Sequence, residues 1–299
     1  MSSLGSLLKA GWTHLRGKAY AGRNLVVYPD DVFLVSYPRS GNTWTRFLIG
    51  NFIHLDGPVT FENIDSIIPD IYGNTHKQLM NTPRPRLIKS HECFDPRYKR
   101  VIYIVRDPRD VAVSMYHWGV KRRRFDESYP MEKHIERFVA GDYEFTAGSW
   151  GENVSCWLAS RLNDPNFILL RYEDMLRQPH GELARIAKFL ELECTDERLN
   201  NAIERSSPER MRSLEKAQAA SWSSTARTRQ DRPFVRAAKD GNWKTDLPAD
   251  SVALIEAAWW PIMEMLGYEL TTSPQAAPGR PIVSKETWTT LTARSVMNR

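Results

Sequence analysis

The chain has 299 residues, of which 41% are hydrophobic and 11% aromatic, and its formal net charge is +5 at pH 7. That hydrophobic content supplies a sizeable core and excludes a wholly disordered chain. The basic excess suits an anionic ligand, but the sequence has no module typical of nucleic-acid binding, so we expect no nucleic-acid partner. No run reaches the roughly 18 apolar residues of a membrane span, and we expect a soluble protein.

The cysteines indicate the cellular compartment, and the C-terminal composition indicates where the domain ends. Cys93, Cys156 and Cys194 are far apart and show no spacing typical of a metal site, so we predict no bound metal. Free thiols favour a reducing compartment, and we predict a cytoplasmic location. We expect one domain over residues 1–270 and a peripheral or disordered tail over residues 271–299, which is rich in Thr, Ser, Pro and Ala.

The predicted elements alternate between strands and helices, which favours an α/β domain. Short apolar runs predict buried strands at residues 32–35, 87–91, 101–105 and 167–172. Apolar residues at helical spacing predict helices at about 44–55, from 108 onward, and at 131–140, 149–162, 180–191, 196–205 and 249–266. The segment 56–86 is rich in Pro, Asn and Thr. It predicts short helices and loops that either line a cleft or simply connect two elements.

The loop between the first strand and the first helix is the strongest candidate for an anion site. The first N–H groups of a helix are unpaired and its dipole is positive there, so Ser40, Asn42 and Thr43 stand where an anion can bind. Arg39 adds a forked donor suited to phosphate. The alternative is an ordinary strand–turn–helix corner capped by Ser40 or Asn42. Because Gly41 is its only glycine, the loop lacks the Walker pattern, which argues against ordinary ATP.

The second and third strands also end in candidate functional side chains. Ligands of open α/β sheets gather beyond the carboxyl ends of the strands, where Lys89 and His91 follow the second strand. His91 is a candidate general base or, alternatively, a structural histidine. Arg106 follows the third strand and Ser114 lies on the next helix, so the two could hold a second phosphate group. The alternative is a surface ion pair between Arg106 and Asp107.

Four separated elements, in this order, resemble the soluble cytosolic sulfotransferases that use 3′-phosphoadenosine 5′-phosphosulfate (PAPS). They are the loop Tyr37-Pro38-Arg39-Ser40-Gly41-Asn42-Thr43-Trp44, the segment Lys89-Ser90-His91, the segment from Arg106 to Ser114, and Arg236 with Gly241-Asn242-Trp243-Lys244. Tyr172 also matches the family's adenine-contact position. The resemblance covers roughly residues 30–268, and four elements in order are much more specific than one.

The resemblance implies a P-loop-like central parallel sheet flanked by helices. It also implies in-line transfer of a sulfuryl group from PAPS to a hydroxyl or amine of a small-molecule acceptor. The product nucleotide is adenosine 3′,5′-bisphosphate (PAP), and no metal takes part. The implied catalytic residues are His91 as general base, Lys89 at the transferring group and Arg39 at the 5′ phosphate. Trp118 is the implied contact of the acceptor, and the alternative is ordinary packing of this ring between its helix and the core. We also expect Tyr72 to line the acceptor pocket.

The implied cofactor-binding residues belong to the 5′-phosphate, adenine and 3′-phosphate sites. They are Arg39, Ser40, Gly41, Asn42, Thr43, Trp44, Arg106, Ser114, Tyr172, Ser206, Arg236, Ala237 and Ala238. Among them, Trp44 is implied to stack on adenine, which an indole ring does well. The implied 3′-phosphate contacts of Arg106, Ser114 and Arg236 would distinguish PAPS from ordinary adenine nucleotides.

The chain departs from the well-known animal members of that family at three places. Arg39 replaces a Lys, and a guanidinium cannot act as a proton donor. Ala237 and Ala238 replace Lys and Gly, and we expect a backbone at Ala238 that is not restricted to glycine. The family's short dimer motif is not recognisable over residues 244–253, so the oligomeric state stays open. Two other functions also stay open: a small-molecule kinase on a related P-loop fold and a non-catalytic nucleotide-binding protein.

Overall fold

The computed structural model describes residues 20–143 and 146–272, so the tail predicted at residues 271–299 lies outside the described residues beyond residue 272. Its strands are β1 (Val32–Ser36), β2 (Leu87–Ser90), β3 (Arg100–Val105) and β4 (Phe167–Arg171). All four agree with the predicted strands to within one residue at each end. They form one parallel sheet in the spatial order β2–β1–β3–β4, which confirms the predicted central parallel sheet.

Helices surround the sheet and connect its strands. They are α1 (Asn42–Ile53), α2 (Ile64–Ile67), α3 (His76–Met80), α4 (Pro108–Lys121), α5 (Met131–Ala140), α6 (Trp150–Arg161), α7 (Tyr172–Arg177), α8 (Pro179–Phe189), α9 (Asp196–Arg205), α10 (Pro208–Gln218), α11 (Trp243–Asp246) and α12 (Ala249–Met265). The predicted helices agree with these bounds to within two residues, whereas α7, α10 and α11 were not predicted. None of these helices is both long and apolar enough to cross a membrane.

Helices cover both faces of the sheet, because successive side chains of a strand point to opposite faces. On β1, Phe33 and Val35 belong to a core that includes residues of α4, α5, α6 and α12. Val32 and Leu34 belong to a second core, with residues of α1, α8 and α9. A parallel sheet buried on both faces is typical of α/β proteins, and it confirms the predicted fold class.

The strand order determines where a ligand site can form. Since β1 lies between β2 and β3, the chain runs to one side of β1 first and to the other side afterwards. In sheets of this kind a crevice opens at that point, outside the carboxyl ends of the strands. The segments that follow β1, β2 and β3 contain the loop with Arg39, the residue His91 and the residue Arg106. The topology therefore brings the three strongest sequence candidates to one edge.

Candidate active site

A cavity of about 360 Å³ lies at this carboxyl edge of the sheet. Most of the residues proposed from the sequence line it: Arg39, Gly41, Asn42, Thr43, Trp44, Tyr72, Lys89, His91, Arg106, Ser114, Trp118, Tyr172, Arg236, Ala237 and Ala238. Ser40 and Ser206 are the two that do not. One cavity thus joins segments that are far apart in the sequence.

The loop between β1 and α1 has a backbone shape that favours particular residues. Gly41 has a φ of 95°, and a Cβ atom there would lie 2.4 Å from the ring of Tyr172, so only glycine fits. Arg39 has a φ of 70°, in the left-handed region that costs an L-residue about 1–2 kcal/mol. Among the described residues no side chain caps the start of α1, so its first N–H groups remain available to an anion.

The Arg39 guanidinium lies between two aromatic rings. Its Cζ is 5.1 Å from the ring centroid of Trp118 and 4.7 Å from that of Phe234. Its Nε donates a hydrogen bond to Ser114 Oγ at 3.1 Å. Burial and the nearby Arg106 lower the pKa of Arg39 to about 10, so this side chain still carries its charge at neutral pH. The cavity therefore contains a partly desolvated positive charge.

Arg106 lies over the aromatic ring of Tyr172, with its Cζ 4.3 Å from the ring centroid. Its guanidinium donates to the carbonyl oxygens of Arg39 and Lys239 at 3.3 and 3.2 Å. The carboxylate of Asp110 is 3.8 Å away. These contacts hold the Arg106 guanidinium between the β1–α1 loop and the segment that contains Lys239.

The surface ion pair considered as the alternative role for Arg106 is wrong. Arg106 is only 8% exposed, and Asp107 pairs with Arg109 instead, at 2.7 Å between Oδ2 and Nη2. Arg109 also pairs with Glu256 and lies 3.7 Å from the ring centroid of Trp243. The two arginines of this motif therefore differ. Arg109 forms ion pairs with buried carboxylates, whereas Arg106 lines the cavity.

The segment at residues 236–243 closes the cavity next to Arg106. Asp110 fastens it to α4, because its carboxylate accepts hydrogen bonds from the N–H groups of Gly241 at 2.7 Å and Trp243 at 3.1 Å. Ala238 has a φ of 51°. This φ lies in the left-handed region, which favours glycine but also admits an alanine, so the backbone here is strained without being restricted to glycine.

Near Arg39 and Arg106, several buried polar atoms have no hydrogen-bond partner in the part of the chain that the structure describes. They include Ser40 Oγ, Asn42 Oδ1 and Arg106 Nε. An unpaired buried polar atom costs about 1–3 kcal/mol and calls for an explanation such as a ligand or a water molecule. Combined with the charges of Arg39, Arg106 and Arg236, these atoms make this end of the cavity suited to an anion with several charges.

Trp44 lies beside Tyr172, with ring centroids 5.7 Å apart and ring planes at 77°. Its Nε1 donates to the carbonyl oxygen of Ser206 at 3.0 Å. The hydroxyl of Ser206 accepts from Asn51 Nδ2 at 3.0 Å, and the residue is fully buried. Ser206 therefore supports Trp44 from behind, and its own hydroxyl does not reach the cavity.

His91 follows β2 directly, and its Nδ1 lies 2.7 Å from the carbonyl oxygen of Ser36 at the end of β1. Because a carbonyl oxygen can only accept, Nδ1 carries the proton and Nε2 keeps its lone pair. Burial and the ammonium group of Lys89 lower the pKa of His91 to about 3. The imidazole is therefore neutral at physiological pH, which is the form that a general base needs.

Two side chains near His91 are held by carboxylates. Lys89 Nζ lies 2.5 Å from Asp70 Oδ2. The hydroxyl of Tyr72 donates to Glu92 Oε1 at 2.8 Å, and the Tyr72 ring is nearly parallel to His91, with centroids 6.3 Å apart. Burial and the Glu92 carboxylate raise the pKa of Tyr72, so it remains a neutral phenol. This part of the cavity has its polar groups paired within the protein.

Among the cavity-lining residues that sequence reasoning missed are Asp70, Trp222 and Phe234. Asp70 and Trp222 belong to segments without a periodic pattern, and nothing in their local sequence distinguishes them from loop residues. Phe234 had a signal, because it stands two residues before Arg236 in the closing segment. Within the described ranges, no group of three or more His, Cys, Asp or Glu side chains is arranged to hold a metal ion.

A family model described as a sulfotransferase domain matches residues 29–264. The chain belongs to the sulfotransferase family. Sulfotransferase 1B1 of dog (Canis lupus familiaris) is 30% identical over 236 residues, which are 72% of this chain and 77% of the relative. The amine sulfotransferase of rabbit (Oryctolagus cuniculus) is 26% identical over 229 residues, 72% and 74% of the two chains. These matches confirm the resemblance and the enzyme class. They contradict the alternative of a small-molecule kinase.

Two solved structures share the fold of this chain at low sequence identity. A mouse sulfotransferase complexed with PAP is similar with a TM-score of 0.65 and 22% identity, over 93% of this chain and 92% of that chain. Retinol dehydratase in complex with androsterone and PAP is similar with a TM-score of 0.69 and 23% identity, over 88% of each chain. Likeness at this identity supports the fold, in agreement with the parallel sheet described above.

Proposed function

We propose that this sulfotransferase moves the sulfuryl group of PAPS to a hydroxyl or amine of a small molecule and releases PAP. An amine stays within the proposal because one relative is named an amine sulfotransferase. The donor end of the cavity comprises the lining residues Arg39, Asn42, Arg106, Ser114 and Arg236, together with Ser40, which is buried next to Arg39 in the loop. The acceptor end comprises Asp70, Tyr72, Lys89 and His91. Because the cysteines Cys93, Cys156 and Cys194 are free, we also propose that it acts in the cytoplasm.

The contact between His91 Nδ1 and the Ser36 carbonyl oxygen is the observation that most directly supports the proposal. Since Nδ1 is bonded to the Ser36 carbonyl, the lone pair of Nε2 can accept the proton of an acceptor hydroxyl as it attacks sulfur. The low pKa keeps the ring unprotonated at neutral pH, although it also makes the ring a modest base. We infer that His91 assists the attack mainly by position, and that acceptors with acidic hydroxyl groups react best.

The cations around the cavity supply the electrostatic part of the reaction. In an in-line sulfuryl transfer, negative charge builds on the oxygen that bridges sulfur and the 5′ phosphate. Lys89 and Arg39 both line the cavity and can stabilise that charge, one at the transferring group and the other at the phosphate. Arg106 and Arg236 are then left to hold the 3′ phosphate, whose presence distinguishes PAPS from ATP.

The test combines ligand binding with an activity screen. The wild-type protein is incubated with labelled PAPS and a panel of phenols, alcohols and amines, and PAP and sulfated product are quantified by mass spectrometry. We expect product with at least one acidic phenol and thermal stabilisation by PAP that exceeds that by ATP–Mg²⁺. Stabilisation by PAP without turnover of any acceptor class would favour the non-catalytic nucleotide-binding alternative. Equal stabilisation by PAP and ATP–Mg²⁺ would contradict the donor.

A further inference from the structure

Asp70 is a cavity residue whose side chain and backbone both contact the segment that contains the catalytic lysine. It lies between α2 and α3, is only 8% exposed and lines the cavity. Its Oδ2 accepts from Lys89 Nζ at 2.5 Å, and its Oδ1 accepts from the N–H of Tyr72 at 3.0 Å. Around it, Lys89 N donates to the Pro69 carbonyl at 2.8 Å and Ile71 N to the Lys89 carbonyl at 3.2 Å.

The Asp70 carboxylate is ionised although it is buried. Burial alone would raise its pKa, but the positive charges of Lys89 and Arg46 outweigh burial, and the pKa of Asp70 is lowered. The carboxylate therefore forms a charged pair with Lys89, in which both side chains are nearly nine-tenths buried. Hydrogen bonds between charged groups in such surroundings are short and strongly oriented.

We infer that Asp70 is a positioning residue for sulfuryl transfer, because it fixes the ammonium group of Lys89 at the acceptor end. This inference rests on the proposed function. An ammonium group has three N–H donors, and Asp70 occupies one of them. The other two remain for the oxygens of the sulfuryl group. Without Asp70, the four-carbon stem of Lys89 would let the ammonium move among several positions.

Asp70 also affects His91 through its charge. Lys89 disfavours a proton on the His91 ring, whereas the carboxylate of Asp70 favours it. Removing the carboxylate would leave the positive charge of Lys89 uncompensated beside the ring, and His91 would become a weaker base. Both effects act on the chemical step. By contrast, the loss of one negative charge from the cavity favours the binding of a polyanion such as PAP.

The substitution Asp70→Asn separates these effects from a purely structural one. Asparagine keeps an oxygen for the Tyr72 N–H and places an NH₂ group opposite Lys89, so the ammonium loses its acceptor. We expect kcat to fall about 10- to 100-fold, because a misplacement of about 1 Å at a reacting centre has effects of this size. We expect the Kd for PAP, measured by calorimetry, to stay unchanged or to decrease. If Asp70 had a purely structural role, the substitution would lower kcat and also raise the Kd for PAP.

Asp65→Asn is the matched control. Asp65 lies in the same part of the chain, and its Oδ1 pairs with Arg46 Nη2 at 2.7 Å, but it does not line the cavity. The control also breaks one ion pair of a buried arginine, and we expect kcat within twofold of wild type. If Asp65→Asn lowers kcat as much as Asp70→Asn, the effect is general destabilisation and the inference fails.

A double-mutant comparison tests whether Asp70 acts through Lys89. In a Lys89→Met background, Asp70→Asn should change kcat by no more than about threefold, because the group that it positions is already absent. A full 10- to 100-fold loss in both backgrounds would overturn the inference. If Asp70→Asn does not fold, Asp70→Glu replaces it: the charge is kept but the carboxylate moves by one methylene, and a wild-type kcat would overturn the inference. Absence of turnover in the wild type contradicts the proposed function instead.

Discussion

The two ends of the cavity differ in how far their polar groups are paired within the protein. At the donor end, Ser40 Oγ, Asn42 Oδ1 and Arg106 Nε are buried without a partner in the described part of the chain. The Arg39 guanidinium donates to the hydroxyl of Ser114 and lies between two aromatic rings. At the acceptor end, Lys89 is paired with Asp70 and His91 is bonded to a backbone carbonyl.

This difference indicates what each end supplies. The donor end has a surplus of positive charge and unused hydrogen bonds, so a polyanion would complete it and gain much of its affinity there. The acceptor end is already balanced, so its groups are oriented before any ligand arrives, as a catalytic site requires. Substitutions at the donor end should therefore change binding, and substitutions at the acceptor end should change turnover.

The largest effect should come from the acceptor end. We expect His91→Ala to lower kcat by roughly 10²- to 10⁴-fold, the usual contribution of a positioned base, with a Kd for PAP within about threefold of wild type. The loss should be smallest for acidic phenols, which need least help from a base. The surface histidine His180 provides the control, as His180→Ala should keep normal turnover. A weakly acidic alcohol that reacts with His91→Ala within a few-fold of the wild-type rate would exclude His91 from the mechanism.

The pH dependence of kcat should report the lowered pKa of His91. Only the neutral ring can accept a proton, so activity is lost as the pH falls through the pKa of the folded enzyme, which is about 3. An ordinary histidine with a pKa of 6.5 would be only about 3% neutral at pH 5, whereas this one stays neutral. We therefore expect kcat for one phenol to vary little between pH 5 and pH 7.5. A decrease centred near pH 6.5 would contradict the buried, Nδ1-bonded state of the ring.

At the donor end, Arg106→Gln should mainly weaken nucleotide binding. A charge-assisted phosphate contact contributes about 1.5–3 kcal/mol, so the Kd for PAP should rise roughly 10- to 100-fold. The Kd for 5′-AMP, which lacks the 3′ phosphate, should change by less than threefold in the same calorimetric titrations. A surface variant, Arg185→Gln, controls for the loss of a charge. Equal losses of affinity for PAP and 5′-AMP would mean that Arg106 does not recognise the 3′ phosphate.

A smaller effect is expected for Trp118→Leu, which tests the side chain implied to contact the acceptor. Because its ring lies against the Arg39 guanidinium, we expect the Kd for PAP to rise about two- to fivefold, in line with a cation–π contribution of about 0.5–1 kcal/mol. The same substitution in an Arg39→Lys background should have less effect. If only the KM of the acceptor rises, the ring serves the acceptor and not Arg39.

The smallest effect concerns the closing segment. Ala238→Gly should increase the free energy of unfolding by about 0.5 kcal/mol, because relief of the left-handed strain exceeds the entropy that glycine loses on folding. Ala237→Gly is the control, and we expect it to destabilise the protein slightly. Urea denaturation of the two variants measures both values. A lower stability for Ala238→Gly than for wild type would show that the left-handed φ is not strained.

The elements were predictable wherever a local pattern expresses burial. The strand Arg100–Val105 and the helix Met131–Ala140 follow directly from apolar runs and helical spacing. α10 was not predictable, because its buried face contains little more than Met211 and Leu214 among many charged residues. Local spacing is uninformative when a helix packs through few apolar contacts.

The candidate site was predictable in its motifs and unpredictable in its pairings. The loop around Arg39 and the position of His91 follow from strand ends and helix starts. The pairing of Asp70 with Lys89 depends on a bridge between segments 19 residues apart, which no local pattern encodes. The strain at Ala238 was also hidden, because an alanine gives no sign that its φ is positive.

The close packing of Gly41 against Tyr172 limits how this enzyme can be recombined with its relatives. The same Tyr172 ring carries the Arg106 guanidinium on its face and has Trp44 at its edge. A β1–α1 loop transplanted from another sulfotransferase must therefore match the ring as well as the phosphate. In chimaeras, the loop, the end of β3 and the start of α7 should be exchanged together as one cassette, although more than 130 residues separate the first from the last.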